Sequence, residues 1–244
     1  MLMSLALAGI AQATDQTHTM SWLLSVGGKQ VGTRELTIRY LEGDAGTNRI
    51  LESYTDINGA LGPVQVRYRQ RLTAHIDARE PAAFHSVVDD NGTMLEVQGR
   101  WTPSSWVVTT TTSGRSRTTE MPLPRIDLST ADLMDPYTRV PLSHLEQARI
   151  LSAETGEVLV GPVEQLGVSQ LTFGGQVVQV SGYAWTSPQG RSEFFYSPDG
   201  FLVQYRTQLL GSEIEAILTA PPPGGVDDFP VGSRGPTVEE LEIN

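Results

Sequence analysis

Apolar side chains recur at every second position along much of the chain, which places them on one face of an extended strand. The clearest case is the segment of residues 64–76. Its apolar positions are Val64, Val66, Tyr68, Leu72, Ala74 and Ile76. The positions between them are mostly polar: Gln65, Arg67, Arg69, Arg71, Thr73 and His75. One apolar and one polar face are typical of strands in an antiparallel sheet, and patterns with the period of a helix are scarce.

Turn-forming motifs separate the alternating segments and therefore predict hairpins. In chain order they are Gly27-Gly28, Asp90-Asn91-Gly92, Gly174-Gly175, Pro188-Gln189-Gly190, Pro198-Asp199-Gly200 and Gly211-Ser212. Glycine and asparagine tolerate the backbone angles of tight turns, and proline presets one of them. The last strands are therefore predicted to form a meander, in which each strand pairs with the next.

The middle of the chain departs from this rhythm. Residues 104–113 are rich in β-branched side chains and predict one more strand, followed by a polar loop that contains Arg115 and Arg117. Residues 129–136, STADLMDP, predict a short helical turn that ends at the proline. A capping-box spacing just before residues 145–150 predicts a second short helix there.

These elements predict an all-β fold, an antiparallel meander that forms a barrel or a curved half-barrel with one or two short helices. We expect a single β-barrel domain over residues 14–220, which is long enough to bury a substantial core. The 24 glycines and 15 prolines among the 244 residues agree with a chain that turns often.

The N-terminal residues are mostly apolar and precede the tripeptide Ala11-Gln12-Ala13. This order is typical of the second half of a secretory signal peptide that is cleaved after Ala13, although the basic first part is missing. We therefore expect residues 1–13 to be a signal peptide remnant and the product to be periplasmic or secreted. The alternative is a buried apolar strand. No other stretch is apolar enough for a transmembrane span of ~20 residues.

The chain is acidic, and the acidic residues continue into its C-terminal tail. Seventeen Lys and Arg against 28 Asp and Glu give a net charge of −11, the wrong sign for neutralising phosphates, so we expect no nucleic-acid partner. Residues 221–244 are Pro/Gly-rich and then acidic, with little apolar surface to bury. They are predicted to be a disordered tail.

Residue types that hold metals and cofactors are sparse. There is no cysteine, which excludes disulfides and cysteine-ligated metals. The four histidines are too far apart in sequence to form a pair of ligands on one strand or helix: His18, His75, His85 and His144. Motifs of serine hydrolases, zinc proteases and nucleotide-binding proteins are absent. The sequence thus predicts neither a metal site nor a cofactor.

Four segments resemble a family of exported bacterial proteins of unknown function. They are SVGGKQVG at 25–32, STADLMDP at 129–136, ILSAETG at 150–156 and FYSPDGFLV at 195–203, and the likeness spans residues 22–218. The resemblance implies a lipocalin-like antiparallel barrel or half-barrel, related in shape to polyisoprenoid-binding proteins and periplasmic lipoprotein carriers. It supplies no catalytic residues.

Aromatic residues on the apolar faces form the candidate ligand-binding site. A barrel of about eight or more strands is either packed solid or holds one small ligand, and aromatic rings with polar tips suit such a pocket. The candidate residues are Trp22, Tyr68, Trp101, Trp106, Tyr183, Trp185, Phe195 and Tyr205. The function predicted from them is binding of a hydrophobic small molecule, such as a lipid or an isoprenoid-like compound. For any single residue the alternative is an ordinary core position.

Two further functions remain open. Asp132 and Asp135 are candidate general acid/base residues of a cofactor-independent barrel enzyme, a lyase, isomerase or cyclase acting on a polyketide- or terpenoid-like substrate. The alternative role of these aspartates is to stabilise a turn. In the second function, the sheet is a structural scaffold of the cell envelope. The arginine stripe Arg67, Arg69 and Arg71 is either a clamp for an anion or a solvated outer face.

Overall fold

The computed structural model describes residues 17–41, 48–61, 64–77, 80–122, 126–136, 141–173, 176–209 and 212–220. Its strands are β1 Thr17–Val26, β2 Lys29–Tyr40, β3 Asn48–Leu61, β4 Val64–Asp77, β5 Glu80–Asp90, β6 Thr93–Thr102, β7 Ser105–Thr112, β8 Arg115–Pro122, β9 Leu128–Ser129, β10 Gln147–Leu151, β11 Val158–Phe173, β12 Gln176–Ser187, β13 Gly190–Tyr196, β14 Leu202–Leu209 and β15 Ser212–Leu218. A 3-10 turn covers Asp132–Met134. The predicted signal peptide remnant, residues 1–13, and the predicted tail, residues 221–244, lie outside the described residues.

All the described strands belong to one sheet. Its order is β8-β7-β6-β5-β4-β3-β2-β1-β15-β14-β13-β12-β11-β10-β9, so two meanders meet where β1 pairs with β15. Among the described strands only β9 and β10 pair in parallel. The all-β antiparallel architecture expected from the sequence is confirmed, and the predicted helical turn at 129–136 is present as the 3-10 turn.

The alternating pattern decides which face of the sheet is buried. On β2, Leu36, Ile38 and Tyr40 are buried, whereas Glu35 and Arg39, at alternate positions, are exposed. We call the face that carries these buried side chains the inner face and the opposite one the outer face. Cross-strand partners share a face, so the inner face continues from strand to strand across the sheet.

The structure corrects the sequence analysis at two elements. Arg115 and Arg117 lie in strand β8, not in a loop, and residues 147–150 form part of strand β10, not a helix. Strand β8 pairs with β7 along its whole length but is almost entirely exposed, so it shows no apolar alternation. Strand β10 is held by backbone hydrogen bonds to β11 and β9, and this tertiary pairing overrides a weak local capping signal.

The sheet curls so that its β9 end lies inside the other half. The described parts of residues 126–157 form what we call the inner segment. Arg49 of β3 makes a bidentate ion pair with Asp135 of this segment. Gly156 sits so close to β7 that an added Cβ would lie 2.5 Å from the Cγ2 atom of Thr110. The Tyr196 hydroxyl of β13 donates a hydrogen bond to the Leu133 carbonyl at 3.2 Å. The inner segment thus contacts strands β3, β7 and β13 of the sheet.

Helices contribute little to the described part of the chain. No helix in it is long and apolar enough to cross a membrane.

Candidate functional site

A cavity of about 390 Å³ lies between the inner face and the inner segment. Strands β1 to β6, β14 and β15 form its walls, and the loop between β10 and β11 closes one side. Apolar lining residues include Leu24, Ile57, Val88, Leu95 and Ile214. A smaller cavity of about 120 Å³ shares six lining residues with it, so these residues stand between the two cavities: Arg34, Glu154, Gln189, Tyr205, Thr207 and Gln208.

Arg34 is a charged residue on the inner face. The β1–β2–β3 register places it between Trp22 and Thr55, in phase with the buried positions of β2. Its Nε donates a hydrogen bond to Ser53 Oγ at 3.1 Å, and its Nη1 donates one to the Tyr205 hydroxyl at 3.2 Å. The guanidinium carbon also lies 5.6 Å from the centre of the Tyr205 ring. These contacts hold the cation in the wall of the cavity.

Glu154 reaches the cavity from a tightly bonded loop of the inner segment. Ser152 Oγ accepts hydrogen bonds from the backbone N–H groups of Glu154 and Thr155, at 3.2 and 3.1 Å. The Gly156 N–H donates to the Ser152 carbonyl at 2.8 Å, and Gly156 has a φ of +73°, a conformation that favours glycine. The loop thereby turns back on itself and presents Glu154 beside Arg34.

Burial is the largest cause of the pKa shifts of Glu154 and Tyr68 in the cavity. Burial raises the pKa of Glu154, and the positive charge of Arg34 only partly opposes this shift. Burial likewise raises the pKa of Tyr68, with a further contribution from the charge of Glu154. Arg34 and Glu154 form no ion pair within 4.0 Å, so the charge of each affects the pKa of the other over a longer distance.

Three of the eight predicted aromatic residues line the cavities. Tyr68 faces the larger cavity, Trp185 faces the smaller one, and Tyr205 faces both. Trp185 is only 5% exposed, and its Nε1 has no hydrogen-bond partner among the described residues. The same holds for the hydroxyl of Thr55, which lies opposite Arg34 in the register. The walls of both cavities therefore contain polar groups that the described protein does not pair.

The other five aromatic residues lie elsewhere. Trp22 is packed in the core and donates a hydrogen bond from Nε1 to the Leu202 carbonyl at 3.2 Å. Trp101 and Trp106 stack edge to face, 6.3 Å apart, at the far end of β6 and β7. Tyr183 packs edge to face on Tyr196 of β13. The remaining residue, Phe195, has the Arg206 guanidinium 5.7 Å above its ring and lies on the outer face.

Asp132 and Asp135 are both buried, and each has a structural partner. Asp132 Oδ2 accepts hydrogen bonds from the backbone N–H and the hydroxyl of Ser129, both at 2.7 Å. Burial raises the pKa of Asp132, and the bonds from Ser129 partly lower it. Asp135 accepts from Arg49. Neither aspartate is among the described lining residues of the two cavities, and this arrangement favours turn stabilisation.

The arginine stripe lies on the outer face. Arg67 and Arg69 are exposed and form ion pairs with Asp89 and Asp56, at 3.0 and 3.4 Å. Metal ligands are not clustered either: within the described ranges, no three residues among His, Asp and Glu lie close enough together to hold a metal ion.

Three polar or charged lining residues of the larger cavity were not among the predicted site residues: Arg34, Gln70 and Glu154. For the first two the pattern did contain a signal, because Arg34 is in phase with Leu36 and Ile38, and Gln70 is in phase with Tyr68. A polar residue at an apolar position of an alternating strand marks a candidate interior site. Glu154 had no such signal, since only the tertiary fold brings its loop inside the sheet.

Comparisons with known proteins agree with the fold. A family model described as "Domain of unknown function (DUF6134)" matches residues 24–219. Among solved structures, the chain is similar to the crystal structure of a beta-barrel-like protein of domain of unknown function DUF1849 from Brucella abortus. The TM-score is 0.57 at 10% identity, covering 84% of this chain and 96% of that chain. At this identity the likeness concerns the fold alone. No curated protein matches the chain.

Proposed function

This chain belongs to the DUF6134 family of β-barrel-like proteins of unknown function, and we propose that it binds a hydrophobic small molecule inside its curved sheet. A lipid or an isoprenoid-like compound is the class of ligand we favour. The observation that carries the proposal is the cavity of about 390 Å³ between the inner face and the inner segment.

The size and chemistry of this cavity support ligand binding. Ligand pockets typically measure about 300–1,000 Å³ and are lined by apolar side chains with a few polar groups that fix orientation. Here Leu24, Ile57 and Leu95 supply apolar surface, while Arg34 and Glu154 supply the polar groups. A solid core would instead fill this space, since protein interiors contain few voids larger than a water molecule.

Uptake of a neutral fluorescent probe, N-phenyl-1-naphthylamine, tests the proposal with the full chain. Leu95 is half-buried and lines the larger cavity, so Leu95→Trp should fill that space and abolish the fluorescence increase. Met94, the preceding residue on β6, is 51% exposed and points the other way. Met94→Trp is therefore the matched control and should leave probe binding unchanged.

Truncation of the lining aromatic residues gives a second measurement. Tyr68→Ala or Trp185→Ala should weaken probe binding and cost less stability than the ~3–5 kcal/mol typical of removing a packed aromatic side chain. A wild-type protein that excludes the probe, together with a large loss of stability in Tyr68→Ala, would contradict the proposal and favour a structural scaffold.

We also propose that the protein is exported and acts in the periplasm or outside the cell. The apolar run before Ala11-Gln12-Ala13 supports this location. N-terminal sequencing of the protein from its own host should give a chain that starts at Thr14. A cytoplasmic product that retains Met1 would contradict export.

A further inference from the structure

We infer that the ligand carries an uncharged head group that bridges Arg34 and Glu154, accepting hydrogen bonds from the guanidinium and donating one to the carboxylate. A primary amide or an alcohol has this chemistry. The inference rests on the proposed function, because it specifies the polar end of the molecule that the cavity holds.

The first observation is the unused hydrogen-bonding capacity of Arg34. A guanidinium carries five N–H donors. Those of Arg34 that have partners are the Nε hydrogen, which bonds to Ser53, and one Nη1 hydrogen, which bonds to Tyr205. The other Nη1 hydrogen and both Nη2 hydrogens have no partner among the described residues. Because Arg34 lines the cavity, a molecule bound there that offers an acceptor would pair these donors.

The second observation is the carboxylate of Glu154, which accepts no hydrogen bond from any described residue. The bonds that fix its loop go to backbone atoms and to Ser152, not to the Glu154 carboxylate. Arg34 is close enough to affect the pKa of Glu154, but no Arg34 nitrogen lies within 4.0 Å of a Glu154 oxygen. A donor placed between the two residues would pair the carboxylate.

The charges that face this position favour an uncharged head group. Arg34 on β2 and Glu154 on the loop balance one another. Asp90 on β5 adds a second carboxylate to the cavity wall, and it accepts a hydrogen bond from Asn91 Nδ2 at 2.9 Å. The hydroxyls of Tyr68 and Tyr205 are the other titratable groups there. At the bridging position between Arg34 and Glu154, an anion would lie against the Glu154 carboxylate and a cation would lie against the guanidinium, whereas an uncharged group can pair with both.

The apolar part of the ligand has a place in the same cavity. Leu24, Ile57 and Leu95 line it on the inner face, and an apolar cavity of roughly 150 Å³ already holds a benzene molecule. A cavity of about 390 Å³ therefore accommodates a short alkyl chain beside the head group. Compounds with an octyl-length chain are suitable probes.

The test is a displacement series in which only the head group changes. N-phenyl-1-naphthylamine bound to the full-length protein is displaced at about pH 8 by octanamide, octan-1-ol, octanoate or octylamine. Octanoate is ionised and octylamine is cationic at this pH. We expect octanamide or octan-1-ol to displace the probe at concentrations at least tenfold lower than either ion, a difference of about 1.4 kcal/mol. Comparison of these two compounds shows which uncharged head the site prefers.

Single substitutions of Glu154 or Arg34 should change which head group binds more tightly, and the sign of the charge that is removed sets which ion gains affinity. Glu154→Gln removes one carboxylate, so octanoate should gain at least tenfold in affinity relative to wild type. Arg34→Met removes the cation, so octylamine should gain instead. The matched controls are Glu157→Gln, an exposed position in the same loop, and Arg39→Met, an exposed position on β2 paired with Glu52. Both controls should keep the wild-type order.

The outcomes separate the two proposals. Displacement by all four compounds at similar concentrations, or tightest binding of octanoate or octylamine to wild type, would overturn the inference while leaving ligand binding in place. A wild-type protein that never binds the probe would overturn the proposed function and this inference with it. Should the Arg34 and Glu154 variants fail to fold, the wild-type series alone decides.

Discussion

The buried ion pair between Arg49 and Asp135 leads to a strong stability prediction. Arg49 Nε donates to Asp135 Oδ1 at 2.9 Å and Nη2 donates to Oδ2, and the two side chains are only 3% and 0% exposed. Asp135→Asn removes the negative charge that faces the buried guanidinium in the bidentate pair. Breaking one partner of a buried pair typically costs about 3–5 kcal/mol. For a chain of this length the loss corresponds to a decrease in Tm of roughly 6–20 °C.

Chemical denaturation followed by circular dichroism measures this loss directly. Asp56→Asn is the control, because its ion pair with Arg69 is exposed and should contribute no more than about 1 kcal/mol. The double variant Arg49→Met/Asp135→Leu should lose less stability than the sum of the two single variants, since neither member of the pair is left buried without the other. A loss below about 1 kcal/mol for Asp135→Asn would refute the structural role. It would reopen the role of Asp135 as an acid/base residue.

Two further predictions concern the loop that carries Glu154. The folded-state pKa of Glu154 is raised by burial above its unfolded value of 4.5, so the wild-type protein loses stability as pH rises from that value through the folded pKa. Glu154→Gln removes this loss, so its Tm should be higher than that of wild type at about pH 8 but not below about pH 4. Thermal unfolding across this pH range measures both Tm values. The same Tm difference between variant and wild type at about pH 4 and about pH 8 would contradict the raised pKa. In Gly156→Ala, the new Cβ would lie 2.5 Å from Thr110 Cγ2, and the alanine would also have to adopt a positive φ. Gly92→Ala is the control, because Gly92 has a similar φ but no atom within 4 Å of an added Cβ. We therefore expect Gly156→Ala to be less stable than Gly92→Ala by about 1 kcal/mol or more and to bind the probe more weakly, with denaturation and probe titration as the measurements.

Local chemistry explains why the hairpins were predictable from the sequence. The turn at Gly27-Gly28 separates β1 from β2, and the turn at Asn91-Gly92 separates β5 from β6, as their motifs predict. These signals are contained in two or three adjacent residues. Strand β8 carried none, because it has no buried face and forms through backbone pairing with β7. The order of the whole sheet, with β1 against β15, depends on contacts between distant residues and was not predictable from periodicity.

The candidate site was predictable only in part, for a related reason. Tyr68, Trp185 and Tyr205 line a cavity, whereas Trp22 and Trp106 share the same alternating pattern and are packed in the core. Alternation assigns a side chain to a face. Whether that face meets a cavity or a neighbouring side chain depends on how the sheet curls and on what lies inside it. In this chain, the position of the inner segment determines which inner-face side chains line a cavity and which pack against other side chains.

The inner segment also links the resemblance motifs at 129–136 and 150–156 to the cavity. These motifs are adjacent in the fold: the Ala153 N–H donates to Thr130 Oγ1 at 3.0 Å, and the Thr130 N–H donates to the Leu151 carbonyl at 3.0 Å. The first motif is attached to β3 through Asp135, and the second presents Glu154 to Arg34 across the cavity. A pair of apolar residues would hold the first motif in the interior at lower desolvation cost, but with less directional constraint than a bidentate ion pair. The ion pair between Arg49 and Asp135 therefore constrains the first motif, which is hydrogen-bonded to the motif that carries Glu154.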